Sequence, residues 1–111
     1  VFYRAHEFTK VAPERPGEVS LRQLGNARDH TLQVLHETYP AGADTGPEFL
    51  TREGEEAGLI TAGQIELTVG DEIAVLGVGF GYLFDSRLPH RFRNTGSESC
   101  EIVSALTPPV F

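Results

Sequence analysis

Apolar and polar residues alternate along this chain with a period of two, in short runs. Residues 64–69 read QIELTV, in which Ile65, Leu67 and Val69 alternate with Gln64, Glu66 and Thr68. Successive side chains of a strand point to opposite faces, so the first three should enter a core and the last three face outward. Val69-Gly70-Asp71-Glu72 then reads as a hairpin turn. Further strands are predicted over 48–52, 56–62, 72–76, 81–84, 90–94 and 100–107. The intervening pieces (Glu53-Gly54, Gly63, 77–79, 85–89 and 95–99) supply turn residues. Upstream, TLQVLHETY at 31–39 alternates partly and is predicted as a strand. Residues 2–8 are predicted as a first strand, and 20–24 form a short piece of ambiguous type. VAPERPG (11–17), GNARDH (25–30) and PAGADTG (40–46) read as turns or loops. No long 3.6-residue periodicity competes. The fold class is therefore all-β, a sandwich or barrel.

The chain's 111 residues suit one domain, and 40% hydrophobic content can fill its core. The net charge of -7 argues against this segment wrapping nucleic acid, which needs a basic patch. It suits a cationic small molecule. Cys100 is the single cysteine, so an internal disulfide is excluded and a reducing, cytoplasmic setting is expected. Its run, CEIVSAL, suggests a buried strand thiol. No stretch approaches the ~18 apolar residues of a membrane span, and no signal peptide is visible. The chain opens on Val1 rather than methionine, as the tail of a longer protein would.

Two spacings carry the candidate chemistry. Glu56 is followed after six residues by Gly63, and His90 after three residues by Asn94. In this order and separation they resemble the ends of the two sequence motifs of the cupins. That resemblance implies a double-stranded β-helix, or jelly-roll barrel. In metal-binding cupins a His-x-His precedes the glutamate, and these ligands converge with the second-motif histidine inside the barrel. Such donors suit Zn, Fe, Mn or Ni. The equivalent positions here are Leu50 and Arg52. Leucine cannot ligate, and arginine stays protonated and places a cation where a metal would sit. Glu56 and His90 remain as metal candidates, with His36 or Glu48 the residues that could move in. A divalent metal is therefore not the expected cofactor.

The wording of Tyr39-Pro40, of Glu55-Glu56-Ala57-Gly58, of FDSRLPHRFRN at 84–94 and of SALTPP at 104–109 narrows the resemblance. It is similar to the cupin that ends a family of XRE-type helix-turn-helix transcription regulators, the putrescine-utilisation-repressor-like subset. The similarity runs from Glu37 onward. It implies a cupin core over 37–111, with 1–36 supplying N-terminal strands and loops that complete the barrel and contribute to a dimer contact. It also implies a small-molecule effector (an amine, an amino acid or a related metabolite) and a homodimer. DNA would be bound only through a helix-turn-helix upstream of this chain. The alternative is a free-standing cupin enzyme acting on a small metabolite, either metal-dependent or using Glu56 and His90 for acid–base chemistry.

Read from the residues alone, Glu53-Gly54 can make a tight turn, so that Arg52 and Glu56 flank a hairpin and face one interior. One reading makes them a structural ion pair, which adds little net stability once desolvation is counted. The other makes Arg52, Glu56 and His90 a polar floor for a ligand, with Tyr82 and Phe84 as apolar walls. His36 is a further candidate to face the barrel. Asn94 reads as a turn former, and Arg87, Arg91 and Arg93 as a solvated basic face.

Overall fold

The computed structural model describes residues 1–11, 13–46 and 49–110. Among them are nine strands: β1 (Thr9–Lys10), β2 (Ser20–Gln23), β3 (Gln33–Tyr39), β4 (Glu55–Ala62), β5 (Gln64–Val69), β6 (Glu72–Gly77), β7 (Gly81–Asp85), β8 (His90–Arg93) and β9 (Cys100–Thr107). The only helical pieces described are two single 3₁₀ turns. A six-stranded sheet runs β1-β2-β3-β9-β4-β7, and a three-stranded sheet runs β6-β5-β8. All strand pairs are antiparallel. The two sheets face each other across one core of Tyr39, Ile60, Ile65, Leu67, Phe92, Cys100 and Ile102. This is an all-β jelly roll.

The alternation in β5 works as read, with Ile65 and Leu67 buried and Gln64 exposed. Val69 pairs with Glu72, so Gly70-Asp71 is the two-residue hairpin. The ambiguous piece at 20–24 is a true strand, paired with β3 from Ser20↔Thr38 to Gln23↔Leu35. Cys100 is buried, and its thiol is pushed up to about 11, first by burial and then by Glu37 and Glu101.

Three expectations are corrected. Residues 2–8 do not form a strand. Glu7 reaches back to the Arg4 amide (3.2 Å) and donates its own N–H to the Arg4 carbonyl, which curls Ala5–Glu7 into a 3₁₀ turn. The Glu7 carboxylate accepting from the Arg4 N–H and the backbone bond that closes the turn outweigh the strand propensity of this segment. Residues 49–52 likewise form no strand, and only Leu50 makes a bridge, to His90. Glu48 lies outside the described residues. Glu53-Gly54 also does not close a hairpin. Leu50 belongs to β8's edge in the small sheet and Glu55 begins β4 in the large one, so residues 50–55 cross between sheets.

Candidate functional site

The crossing segment delivers Arg52 to one end of the barrel. Its backbone is tied down by Arg52 N–H to the Ser86 carbonyl and Ser86 N–H to the Gly54 carbonyl, both 2.9 Å. Glu56 follows at the second position of β4, where the burial alternation turns it inward with Gly58 and Ile60. His90 opens β8 directly opposite, held by backbone hydrogen bonds to Leu50 in both directions. These three side chains line one cavity of about 930 Å³, within the usual size of a small-molecule site. Leu35, Tyr39, Phe92 and Leu106 provide apolar wall.

The protonation of His90 follows from its contacts. Its Nδ1 lies 2.9 Å from the Leu88 carbonyl oxygen. A carbonyl only accepts, so Nδ1 carries the proton and donates it. Burial lowers the histidine pKa, with Arg52 adding to the effect, so the ring is neutral and Nε2 presents a lone pair. That lone pair points toward Glu56 Oε1 at 3.8 Å, too far for a hydrogen bond. Both atoms are buried without a hydrogen-bond partner, as is Arg52 Nη1. Glu56 is pushed up to about 7 by burial and by the nearby Glu37 charge, with Arg52 pulling the other way.

Glu37 was not among the sequence candidates. It sits in the middle of β3, buried, and accepts hydrogen bonds from Ser104 Oγ (2.5 Å) and Tyr39 Oη (3.1 Å). Burial raises its pKa despite those two bonds. The signal was present in the alternation Leu35, Glu37, Tyr39, which puts a carboxylate on the same face as two core residues.

Other candidates land elsewhere. Arg52 and Glu56 form no ion pair within 4 Å among the described residues, so the structural-clip reading lacks its contact. Tyr82 and Phe84 are not cavity walls. The Tyr82 ring lies across the bare backbone of Gly58, where a Cβ would come within 2.3 Å of its hydroxyl. Phe84 packs tilted against the His90 ring, centroids 4.9 Å apart at 56°. The pair backs the floor from the core side, where both pack on the main cluster. His36 faces outward and pairs with Glu101 at 3.1 Å, because the burial pattern of β3 starts one residue out of its phase. Asn94 is buried, and its amide donates to the carbonyls of Tyr39 and Glu98 (2.8 Å each), pinning the end of β3 to the β8–β9 loop. Arg87, Arg91 and Arg93 face separate carboxylates, Asp85, Asp44 and Glu66.

The donor set does not fit the metal that the fold implies. No group of three or more His, Cys, Asp or Glu is positioned for a metal among the described residues. Arg52, at the position of a ligating histidine in metal-binding cupins, puts a cationic side chain on the same cavity lining.

An all-β double sheet around a cavity with a polar floor and apolar walls defines the class as a cupin-type jelly roll. The Cupin_2 cupin domain model matches residues 35–106, and the chain belongs to that family. It is 37% identical over 94 residues to the HTH-type transcriptional regulator PuuR of Escherichia coli (strain K12), a match that covers 84% of this chain. A relative of the same name in Shigella flexneri matches equally. The chain spans about half the length (50%) of these curated relatives. Among solved structures it resembles the Cupin_2 domain of an XRE family transcriptional regulator from Enterobacter cloacae, with TM-score 0.73 and 20% identity over 83% of this chain and 98% of that one. It also resembles ectoine synthase from P. lautus, with TM-score 0.80 and 19% identity over 99% of this chain and 79% of that one. These structural likenesses establish the shared fold. Among the described residues no helix is long and apolar enough to cross a membrane.

Proposed function

We propose that this chain is the effector-sensing domain of a transcription regulator. In this reading a small metabolite occupies the barrel cavity, and a DNA-binding segment on the same polypeptide responds to its occupancy. The observation that carries the reading is the set of orphaned polar atoms at the cavity floor. Arg52 Nη1, Glu56 Oε1 and His90 Nε2 are all buried and unpartnered. Leaving such atoms unsatisfied costs ~1–3 kcal/mol each, more where charged, and a polar guest removes that cost. The 37% match to a regulator supports this role over that of a free-standing enzyme. The effector class is an amine, an amino acid or a related nitrogen metabolite, since Glu37 and Glu56 suit a cation.

A differential-scanning screen of such compounds, followed by calorimetric titration, tests the assignment. Arg52→Ala and Glu56→Gln should each weaken the best hit by ~10-fold or more, the effect of losing one charge-assisted hydrogen bond. Unchanged affinity in both variants would put the ligand elsewhere.

We further propose a homodimer. The outer face of the large sheet carries Leu59, Leu83 and Val103, which are 59%, 71% and 42% exposed. Ala57 and Ala105 sit between them in register (Leu59↔Val103, Ala57↔Ala105, Ala57↔Leu83). A contiguous apolar face of this kind favours a partner, and a second copy presents the same face back in an isologous contact. Leu83→Glu, at a position the fold leaves open, should shift the light-scattering mass from twice 12.1 kDa to 12.1 kDa. A wild-type monomer, or a dimer that survives the substitution, would rule this face out.

A further inference from the structure

The three orphaned atoms at the cavity floor are not chemically equivalent, and their polarity constrains the guest. His90 Nε2 can only accept, because Nδ1 holds the ring proton for the Leu88 carbonyl. Glu56 Oε1 also accepts when its carboxyl is ionised. These two acceptors lie 3.8 Å apart with nothing between them to donate. An ammonium nitrogen has three N–H bonds spread around one centre. It can sit within ordinary hydrogen-bonding distance, about 2.8–3.0 Å, of two acceptors with that separation. Arg52 Nη1 has the opposite need, being a buried donor with no acceptor. A carboxylate satisfies a guanidinium edge in a planar, charge-assisted contact that no neutral group matches.

The remaining charges on the cavity lining agree. Glu37 already accepts from Ser104 and Tyr39, and as a carboxylate on the same lining it disfavours further negative charge near Glu56. Asp44 is engaged by Arg91 at 3.1 Å. Glu18 stands on the lining as a further carboxylate. Arg52 is the one cationic side chain lining the cavity among the described residues. A diamine would leave that cation facing a second cation. A dicarboxylate would oppose Glu56 and Glu37.

We infer that the effector is an aminocarboxylate, whose ammonium is held between Glu56 and His90 and whose carboxylate is held by Arg52, with the guanidinium serving as the fixed cation in place of a metal. This rests on the sensing reading for the location of the ligand and goes beyond it in fixing the ligand's two charges. Binding then needs no metal, and the preferred spacing between the two charged groups is set by the distance from Arg52 to the Glu56–His90 pair.

The test is a calorimetric panel on the whole chain, run both with and without a chelator. The probes are the α-amino acids glycine and alanine, the ω-amino acids of three to six carbons, the α,ω-diamines of the same lengths, and the matching dicarboxylates. One aminocarboxylate length should bind about 10-fold or more tightly than the diamine and dicarboxylate of equal length. Arg52→Gln should weaken that aminocarboxylate by about 10- to 100-fold and move the preference toward the diamine, an inversion that a structural role for Arg52 would not produce. Arg52→Lys, which keeps the charge, should retain the wild-type order of preference, so the inference does not rest on one variant folding. Tighter diamine binding by the wild-type chain would overturn the charge assignment while leaving the cavity as an effector site. Binding that disappears with the chelator would overturn the metal-free role of Arg52. A panel that yields no binder would overturn the inference itself, and the broader screen would then judge the sensing reading independently.

Discussion

Gly54→Ala is expected to destabilise the domain by about 4 kcal/mol, out of the ~5–15 kcal/mol typical of a domain this size. Gly54 holds φ +113°, a conformation that L side chains rarely adopt and that costs ~1–3 kcal/mol. A methyl group there would also lie 2.0 Å from the Thr107 carbonyl oxygen and 2.7 Å from Pro108 Cδ. Thr107 ends β9 and pairs with Glu55 of β4, and Pro108 follows it directly, so the Thr107 carbonyl cannot withdraw without opening the large sheet. Forcing a methylene-sized group into packed backbone adds another ~1–3 kcal/mol. Gly42 separates the two contributions. It has φ +81° but nothing within 4 Å of an added Cβ. Gly42→Ala should therefore show only the backbone cost, about 1 kcal/mol. Urea denaturation of the two variants measures the difference. Equal losses would mean that the Thr107 contact is not tight.

Glu56→Gln should act in the opposite direction and depend on pH. The wild-type carboxyl titrates at about 7 in the folded chain, against an ordinary value of 4.5. Below about pH 4.5 it is protonated in both folded and unfolded states, so burial carries no ionic cost. Between 4.5 and 7 the unfolded chain has lost this proton and the folded chain still holds it, so stability falls as pH rises. Above 7 the full cost is present, on the order of 3 kcal/mol for a shift of this size. The glutamine variant lacks that cost. It should match the wild type near pH 4.5 and exceed it by about 3 kcal/mol at pH 8, in urea titrations without ligand. A constant difference between the two pH values would show that Glu56 is not desolvated. The same substitution should weaken effector binding, so stability and function pull in opposite directions at this residue.

The residues that could be read correctly from sequence are those whose environment is set by near neighbours. Ile65 and Leu67 follow from a clean alternation between two turn signals, and Gly70-Asp71 from its own hairpin chemistry. The cupin-motif spacings singled out Glu56 and His90, and the fold brings both to one cavity. What failed depended on partners distant in the chain. The phase of β3 is set by its neighbours β2 and β9, and it turns His36 out and Glu37 in. Tyr82 was expected in the cavity, but the missing side chain at Gly58 draws its ring into the core instead. The curl at 5–7 is a local effect that strand propensity at 2–8 concealed. The crossing at 50–55 could not be inferred from Glu53-Gly54, since a two-residue turn signal does not say which sheet each flank joins.

That crossing has a mechanical consequence. Arg52 lies in the middle of six residues, one end of which is bonded to the small sheet through Leu50 and His90. The other end enters the large sheet at Glu55. Extended chain reaches at most ~3.6 Å per residue, which limits how far the two anchored ends of the strap can separate. A second tie, between Gly54 and Ser86, shortens its free length further. A pull on the guanidinium is therefore borne by both sheets within three residues to either side. The cavity floor is thus fastened to both halves of the barrel at once.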